Sequence, residues 1–146
     1  MTIDVKSFGE LSVRELYDIL QLRSAIFVVE QQCVYQDIDG MDIGALHILG
    51  REGNSLQAYT RILAPGESFR EASIGRVAVR STARGKGLGK EIMKASIQAA
   101  EQRFGPDGIS LSAQSYLRKF YREMGFKETG EEYLEDGIPH VMMVRH

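Results

Sequence analysis

The sequence has a single cysteine, Cys33, no tryptophan and only three prolines among its 146 residues. One thiol cannot build an internal disulfide framework or a cysteine-based zinc cluster, and it suits a reducing, cytoplasmic setting. The three histidines, His47, His140 and His146, are scattered without metal-ligand spacing, so no metal is expected. No apolar run approaches the roughly 20 residues of a membrane span. Residues 2–8 are short, alternating and charged, unlike a signal peptide, so no membrane partner is expected. Charge of one sign is also missing in bulk. The 18 basic and 20 acidic side chains leave a net charge of −2, which removes both the basic field of a nucleic-acid binder and the acidic excess of a disordered tail. What remains, 43% hydrophobic and 26% charged residues, is globular composition at a length that fits one domain, residues 1–146.

The near-zero total hides two segments of opposite sign. Residues 24–50 contain no Lys or Arg but carry Glu30, Asp37, Asp39 and Asp42, whereas residues 73–103 hold seven basic side chains against two acidic ones. Solvated element faces would account for this. So would an anion site beside a site that attracts cations.

Periodicity gives the element order. Residues 2–8 alternate as a first strand. Ser12-Val13-Arg14-Glu15 is a capping box opening a helix, with Val13, Leu16, Tyr17, Leu20, Ser24 and Phe27 as its apolar face. Residues 45–51 and 57–63 form a hairpin, and residues 72–79 a further strand ending in Val77-Ala78-Val79. A helix over residues 87–104 should bury Leu88, Ile92, Met93, Ala95, Ile97, Ala99 and Ala100. A strand over 109–113, a helix over 115–124 and a closing hairpin over 127–145, turning at Glu135-Asp136-Gly137, complete the chain. This order argues for an α/β (α+β) fold on a mixed sheet.

The chemistry is concentrated in residues 77–90. A strand feeds a turn containing Gly85, Gly87 and Gly89, and the turn opens a helix. Unpaired N–H groups in a first helical turn, backbone free to approach a ligand, and Arg84, Lys86 and Lys90 nearby together make an anion site, and a phosphate-bearing ligand is the economical reading. It is not a Walker loop: the first glycine position holds Arg84, and Gly89-Lys90 is followed by Glu91 rather than Ser or Thr. It is not the dinucleotide fingerprint either, whose third glycine falls on Lys90.

Arg84-x-x-Gly87-x-Gly89 resembles the acetyl-coenzyme-A motif of the GNAT superfamily of N-acetyltransferases. Gln114-x-x-Leu117-x-x-Phe120-Tyr121-x-x-x-Gly125-Phe126 resembles that superfamily's later motif, departing from it at Gln114, usually Asn, and Leu117, usually Ala. Within the superfamily, residues 22–42 and 133–140 are similar to the ElaA-type acyltransferases. The resemblance covers essentially the whole chain. It implies a mixed central sheet, flanked by helices, that splays between its two middle strands. Acetyl-coenzyme A would lie in that splay, with pantetheine along Val77, Ala78 and Val79. Its pyrophosphate would rest on Arg84, Gly85, Lys86, Gly87, Leu88, Gly89 and Lys90, and Gln114 would stand at the usual side-chain contact. It implies direct acyl transfer to an amine, small-molecule or peptide, with the oxyanion held by a backbone N–H near Val77 or Ala78 and Tyr121 as general acid to the leaving thiolate.

For the proton on the attacking amine, Glu30, His140 and a water chain are all open. Glu30 could equally be a surface carboxylate at a helix end, and His140 a locally bonded strand-end histidine. The acidic segment is expected to face and attract a cationic amine. Two further readings compete: a non-catalytic coenzyme-A-binding regulatory module on the same fold, and a nucleic-acid binder using the basic segment, which lacks interleaved aromatics. The acceptor and the assembly state, a homodimer among the options, are left open.

Overall fold

Ser12 and Glu15 close the capping box expected of them. Glu15 N–H donates to Ser12 Oγ at 3.0 Å, and the Glu15 carboxylate accepts from Ser12 N–H at 2.8 Å. From there α1 runs over Val13–Arg23 in the computed structural model, which describes all 146 residues. The inward face of α1 is not the expected one. Val13 and Tyr17 are largely exposed, and Ile19, Leu22, Arg23 and Ile26 are buried instead. The spacing is still helical, but its stripe is displaced around the axis. It passes through Arg23, a charged residue that periodicity cannot mark as interior and that burial tolerates only when it is paired. The helix then widens into a π-helical segment, Ser24–Glu30. There Gln31 N–H reaches back to Ile26 O at 3.2 Å and Cys33 N–H to Val28 O at 3.1 Å. The extra residue per turn rotates Ile26, Phe27 and Glu30 onto the wall of the cleft described below.

The eight strands are β1 (Thr2–Ser7), β2 (Leu46–Glu52), β3 (Ser55–Leu63), β4 (Ala72–Val79), β5 (Ile109–Gln114), β6 (Lys127–Glu128), β7 (Tyr133–Glu135) and β8 (Ile138–Arg145). They form one sheet in the order β1-β2-β3-β4-β5-β8-β6, with β7 also paired to β8. Every pairing is antiparallel except β4 with β5. A parallel neighbour needs a crossover, and α2, Leu88–Phe104, supplies it.

Adjacent residues of β2 and β3 face opposite ways, so the sheet carries two cores. Ile48, Ala58 and Ile62 pack with Ile92, Met93 and Ile97 of α2, whereas Leu49, Leu56 and Tyr59 pack with Ile19, Leu22 and Ile26 beneath α1. The helix α2 buries the face expected of it, except that Ala95 is half-buried and Ser96 is wholly buried. Ser96 reaches the interior because its hydroxyl is satisfied, donating to Ile92 O at 2.7 Å and pairing with Thr60 Oγ1.

The C-terminal part is more broken than its hydrophobic pattern suggests. A 3₁₀ turn, Ser115–Leu117, leads into a short α3, Arg118–Arg122, and the expected strand over 127–134 divides into β6 and β7. The turn joining β7 to β8 is the two-residue type, Asp136 at φ +51° and Gly137 at φ +77°, matching the twist of the strands it joins.

Candidate active site

The parallel pair β4–β5 meets only at Ala72 with Ile109 and Ser73 with Ser110. Beyond those two rungs the strands diverge, and residues 74–79 of β4 and 111–114 of β5 face each other across an open wedge. On its other side β4 stays paired with β3, but with a bulge: Tyr59 is opposite Ala78 and Arg61 opposite Gly75, so residues 76 and 77 share the place of one, with Arg76 at φ +50°. Past the bulge Arg80 N–H donates to Gln57 O at 2.8 Å. Strand alternation therefore turns the Val79 amide and carbonyl away from β3, into the wedge.

The open end of the wedge meets the start of α2. Gly85 and Gly87 lie at φ +83° and +77°, and Gly87 caps the helix. Left-handed backbone at these two positions is what a residue without Cβ allows. The first-turn amides of this 17-residue helix point outward beside the wedge. The two features merge into one cavity of about 1030 Å³. Val77, Val79, Arg84, Gly85, Gly87, Leu88, Gly89, Lys90 and Gln114 line it. Ala78 and Lys86 do not: Ala78 is buried under α1 on the other face of the sheet, and Lys86 is exposed on the loop. For Ala78 the alternation of the strand is the cause. Its amide belongs to the β3 side, which leaves Val77 as the candidate nearer the wedge.

The acidic segment corrects its sequence reading. Asp37 and Asp42 are buried, and with Asp39 they are held by three arginines from other elements. Arg23 bonds Asp37 at 2.9 Å and Asp42 at 2.6 Å. Arg61 bonds Asp39 at 2.8 Å and Asp42 at 2.9 Å, and Arg76 reaches Asp37 at 2.8 Å and Asp39 at 3.3 Å. Burial alone would raise the Asp39 and Asp42 carboxyls, but hydrogen bonds from Arg61, and for Asp42 from Arg23 as well, outweigh it and lower both, Asp39 to well below the usual carboxylate range. These three aspartates are therefore not a free anionic surface for an amine. They tie residues 37–42 to the sheet as a wall of the cavity. Arg76, counted in the basic segment, belongs to this cluster, and its guanidinium lies 5.7 Å from the Tyr35 ring centroid. His47 is structural. Buried, it takes a hydrogen bond from Tyr59 Oη on Nδ1 at 2.7 Å and donates from Nε2 to Asp42 O at 2.9 Å, and burial lowers its pKa.

Three ionisable side chains expected at the reaction centre do line the same cavity: Tyr121, Glu30 and His140. Tyr121, on α3, is 5% exposed, with its ring edge-on to Phe120 and Phe126. Burial first, and Tyr116 after it, push its phenol well above its ordinary value. His140, on β8 opposite Gln114 of β5, stacks on Tyr133. Its Nδ1 lies 2.7 Å from Ile138 O, an acceptor, so Nδ1 carries a proton, and its Nε2 stands 3.3 Å from the Glu135 carboxylate. Glu30 is taken up by Arg84, with Nη1 to Oε2 at 2.9 Å and Nη2 to Oε1 at 3.0 Å. No group of three or more His, Cys, Asp or Glu side chains is gathered to hold a metal ion, and no helix is long and apolar enough to cross a membrane.

This arrangement coincides with a known family. Residues 17–146 match the model described as the acetyltransferase (GNAT) domain. The chain belongs to the GNAT acetyltransferase family. It is 44% identical over 139 residues to Protein ElaA of Escherichia coli K12, covering 94% of this chain and 91% of that protein, and it superimposes on the crystal structure of E. coli ElaA with a TM-score of 0.94 over 99% of both chains. An acyl-CoA N-acyltransferase from Pseudomonas aeruginosa matches with a TM-score of 0.94 at 40% identity over 100% of both chains. An aminoglycoside 6′-N-acetyltransferase solved with coenzyme A shares the fold alone, at 13% identity and a TM-score of 0.74 over 97% of this chain and 96% of that one. The GNAT fold expected from the two motifs and the ElaA-like membership expected from residues 22–42 and 133–140 are both found.

Proposed function

We propose that the protein transfers an acetyl group from acetyl-coenzyme A directly to an amine. The observation that carries this is the wedge between β4 and β5, which offers unpaired strand backbone along its length and a glycine-capped helix start at its mouth. The pantetheine arm carries amides that can pair with the Val77 and Val79 backbone as an added strand would, and the pyrophosphate suits the loop 84–90. Lys90 lies where the phosphates would arrive, and the Gln114 amide takes the place of the usual asparagine.

The amine lone pair attacks the thioester carbonyl carbon, the C–S bond breaks and the thiolate leaves. Holding both reactants in one cavity makes the attack effectively unimolecular. The Val77 amide is the candidate donor to the oxyanion. Tyr121, its proton held more firmly than an exposed phenol's, stays protonated at neutral pH and gives that proton to the thiolate. The proton lost by the amine goes to His140 Nε2, beside which the Glu135 carboxylate stands to balance the imidazolium. The engagement of Glu30 by Arg84 favours His140 over Glu30 in this role.

Thiol release from acetyl-coenzyme A, followed against a panel of amines and peptides, tests the reading. Tyr121→Phe should bind coenzyme A within about twofold of wild type while turnover falls by roughly 10²–10⁴-fold. Undiminished turnover in that variant removes Tyr121 from the mechanism, and no thiol release with any amine removes the enzyme reading.

A further inference from the structure

Arg84 and Glu30 stand 54 residues apart in the chain and line the cavity together. Two guanidinium nitrogens face two carboxylate oxygens, at 2.9 and 3.0 Å, which is the fork geometry arginine also offers to a phosphate. The same side chain donates Nε to Val79 O at 3.3 Å. That carbonyl is one of the wedge-facing groups on β4. Arg84 is thus strapped over the groove, covering a strand-edge acceptor and covered in turn by a carboxylate. Glu30 reaches this position because it ends the π-helical segment, whose extra residue per turn rotates it toward the loop.

We propose that Glu30 is a built-in stand-in for the cofactor's phosphate on Arg84, and that loading the cofactor unmasks Glu30 as the carboxylate that attracts a cationic acceptor amine. This rests on coenzyme A being the ligand of the wedge. When the pyrophosphate takes Arg84, one ion pair replaces another, the Val79 carbonyl is released to a pantetheine amide, and the Glu30 carboxylate is left unpaired on the acceptor side. The acidic segment cannot supply that attraction, because Asp37, Asp39 and Asp42 are already matched by Arg23, Arg61 and Arg76. Attraction by Glu30 for a cationic amine then exists only in the loaded protein. By reciprocity, an amine held on Glu30 frees Arg84 and tightens the cofactor by the same factor.

The test is calorimetric titration of coenzyme A into wild type, Glu30→Gln, Arg84→Gln and the double variant at low salt. Both side chains are substantially exposed, at 44% and 41%, so each substitution leaves the core intact. Glu30→Gln should tighten binding about two- to fivefold, the scale of an exposed ion pair. Arg84→Gln should weaken it, and in the Arg84→Gln background the Glu30 substitution should gain nothing. An unchanged or weaker affinity in Glu30→Gln overturns the proposal. Equal tightening in both backgrounds also overturns it, since general charge removal would then suffice. No binding by wild type at millimolar coenzyme A overturns instead the cofactor reading beneath it.

Discussion

The three alternating glycines of the loop are not equivalent. Gly85 and Gly87 sit in left-handed backbone, whereas a Cβ on Gly89 would only reach ordinary contact with Phe120 at 3.6 Å and Val79 at 3.7 Å. Gly87→Ala should therefore cost about 1 kcal/mol of stability and weaken coenzyme A severalfold by rotating the first-turn amides. Gly89→Ala should leave the denaturation midpoint almost unchanged, and chemical denaturation of both variants checks the contrast. The motif residues were legible in the sequence because their spacing is local: Arg84, Gly87, Tyr121 and Gly125 stand where a strand, a turn and two helices put them. Arg23 and Ser96 were not, because a polar residue enters a core only when its partner, here Asp37 and Asp42 or Thr60, arrives from elsewhere in the chain.

At the scale of elements, β4, α2 and the closing turn follow directly from pattern and glycine chemistry. The π-helical segment and the bulge at Arg76 do not, since each answers to what it packs against rather than to its own periodicity. The irregular stretch between the π-helical segment and β2 has no regular structure of its own. Its anchor is the set of ion pairs from Arg23, Arg61 and Arg76. Removing one member of a buried pair strands its partner, at a cost of about 3–5 kcal/mol. Arg23→Ala should lose stability on that scale in urea. It should also raise the KM for the amine by loosening this wall of the cavity, while the Kd for coenzyme A, whose proposed contacts are the Val77 and Val79 backbone and the loop 84–90, moves less than about twofold.

For the whole molecule, the buried and arginine-paired ionisable groups predict how stability depends on pH. Burial lowers the His47 pKa. As pH falls through about 6.5 the unfolded chain takes up a proton there that the fold resists, so stability declines with falling pH. Asp39 and Asp42 are held low by their arginines, so their contribution is complete above about pH 4 and is lost below it. Urea midpoints at pH values bracketing each step should show both declines, and His47→Gln should flatten the first. A wild-type midpoint constant from neutral pH to about pH 5 would contradict the His47 assignment. The splay of the sheet has a different consequence. Sheets usually keep unpaired strand edges at their margins, where a neighbouring chain can add to them. Here two such edges lie inside the molecule, converging on the rungs Ala72–Ile109 and Ser73–Ser110. Neighbouring strands stand about 4.8 Å apart, so a single extended chain enters only where the two edges have opened to about twice that spacing. The wedge thus has the width for a slender arm of amides and not for the edge of a folded protein.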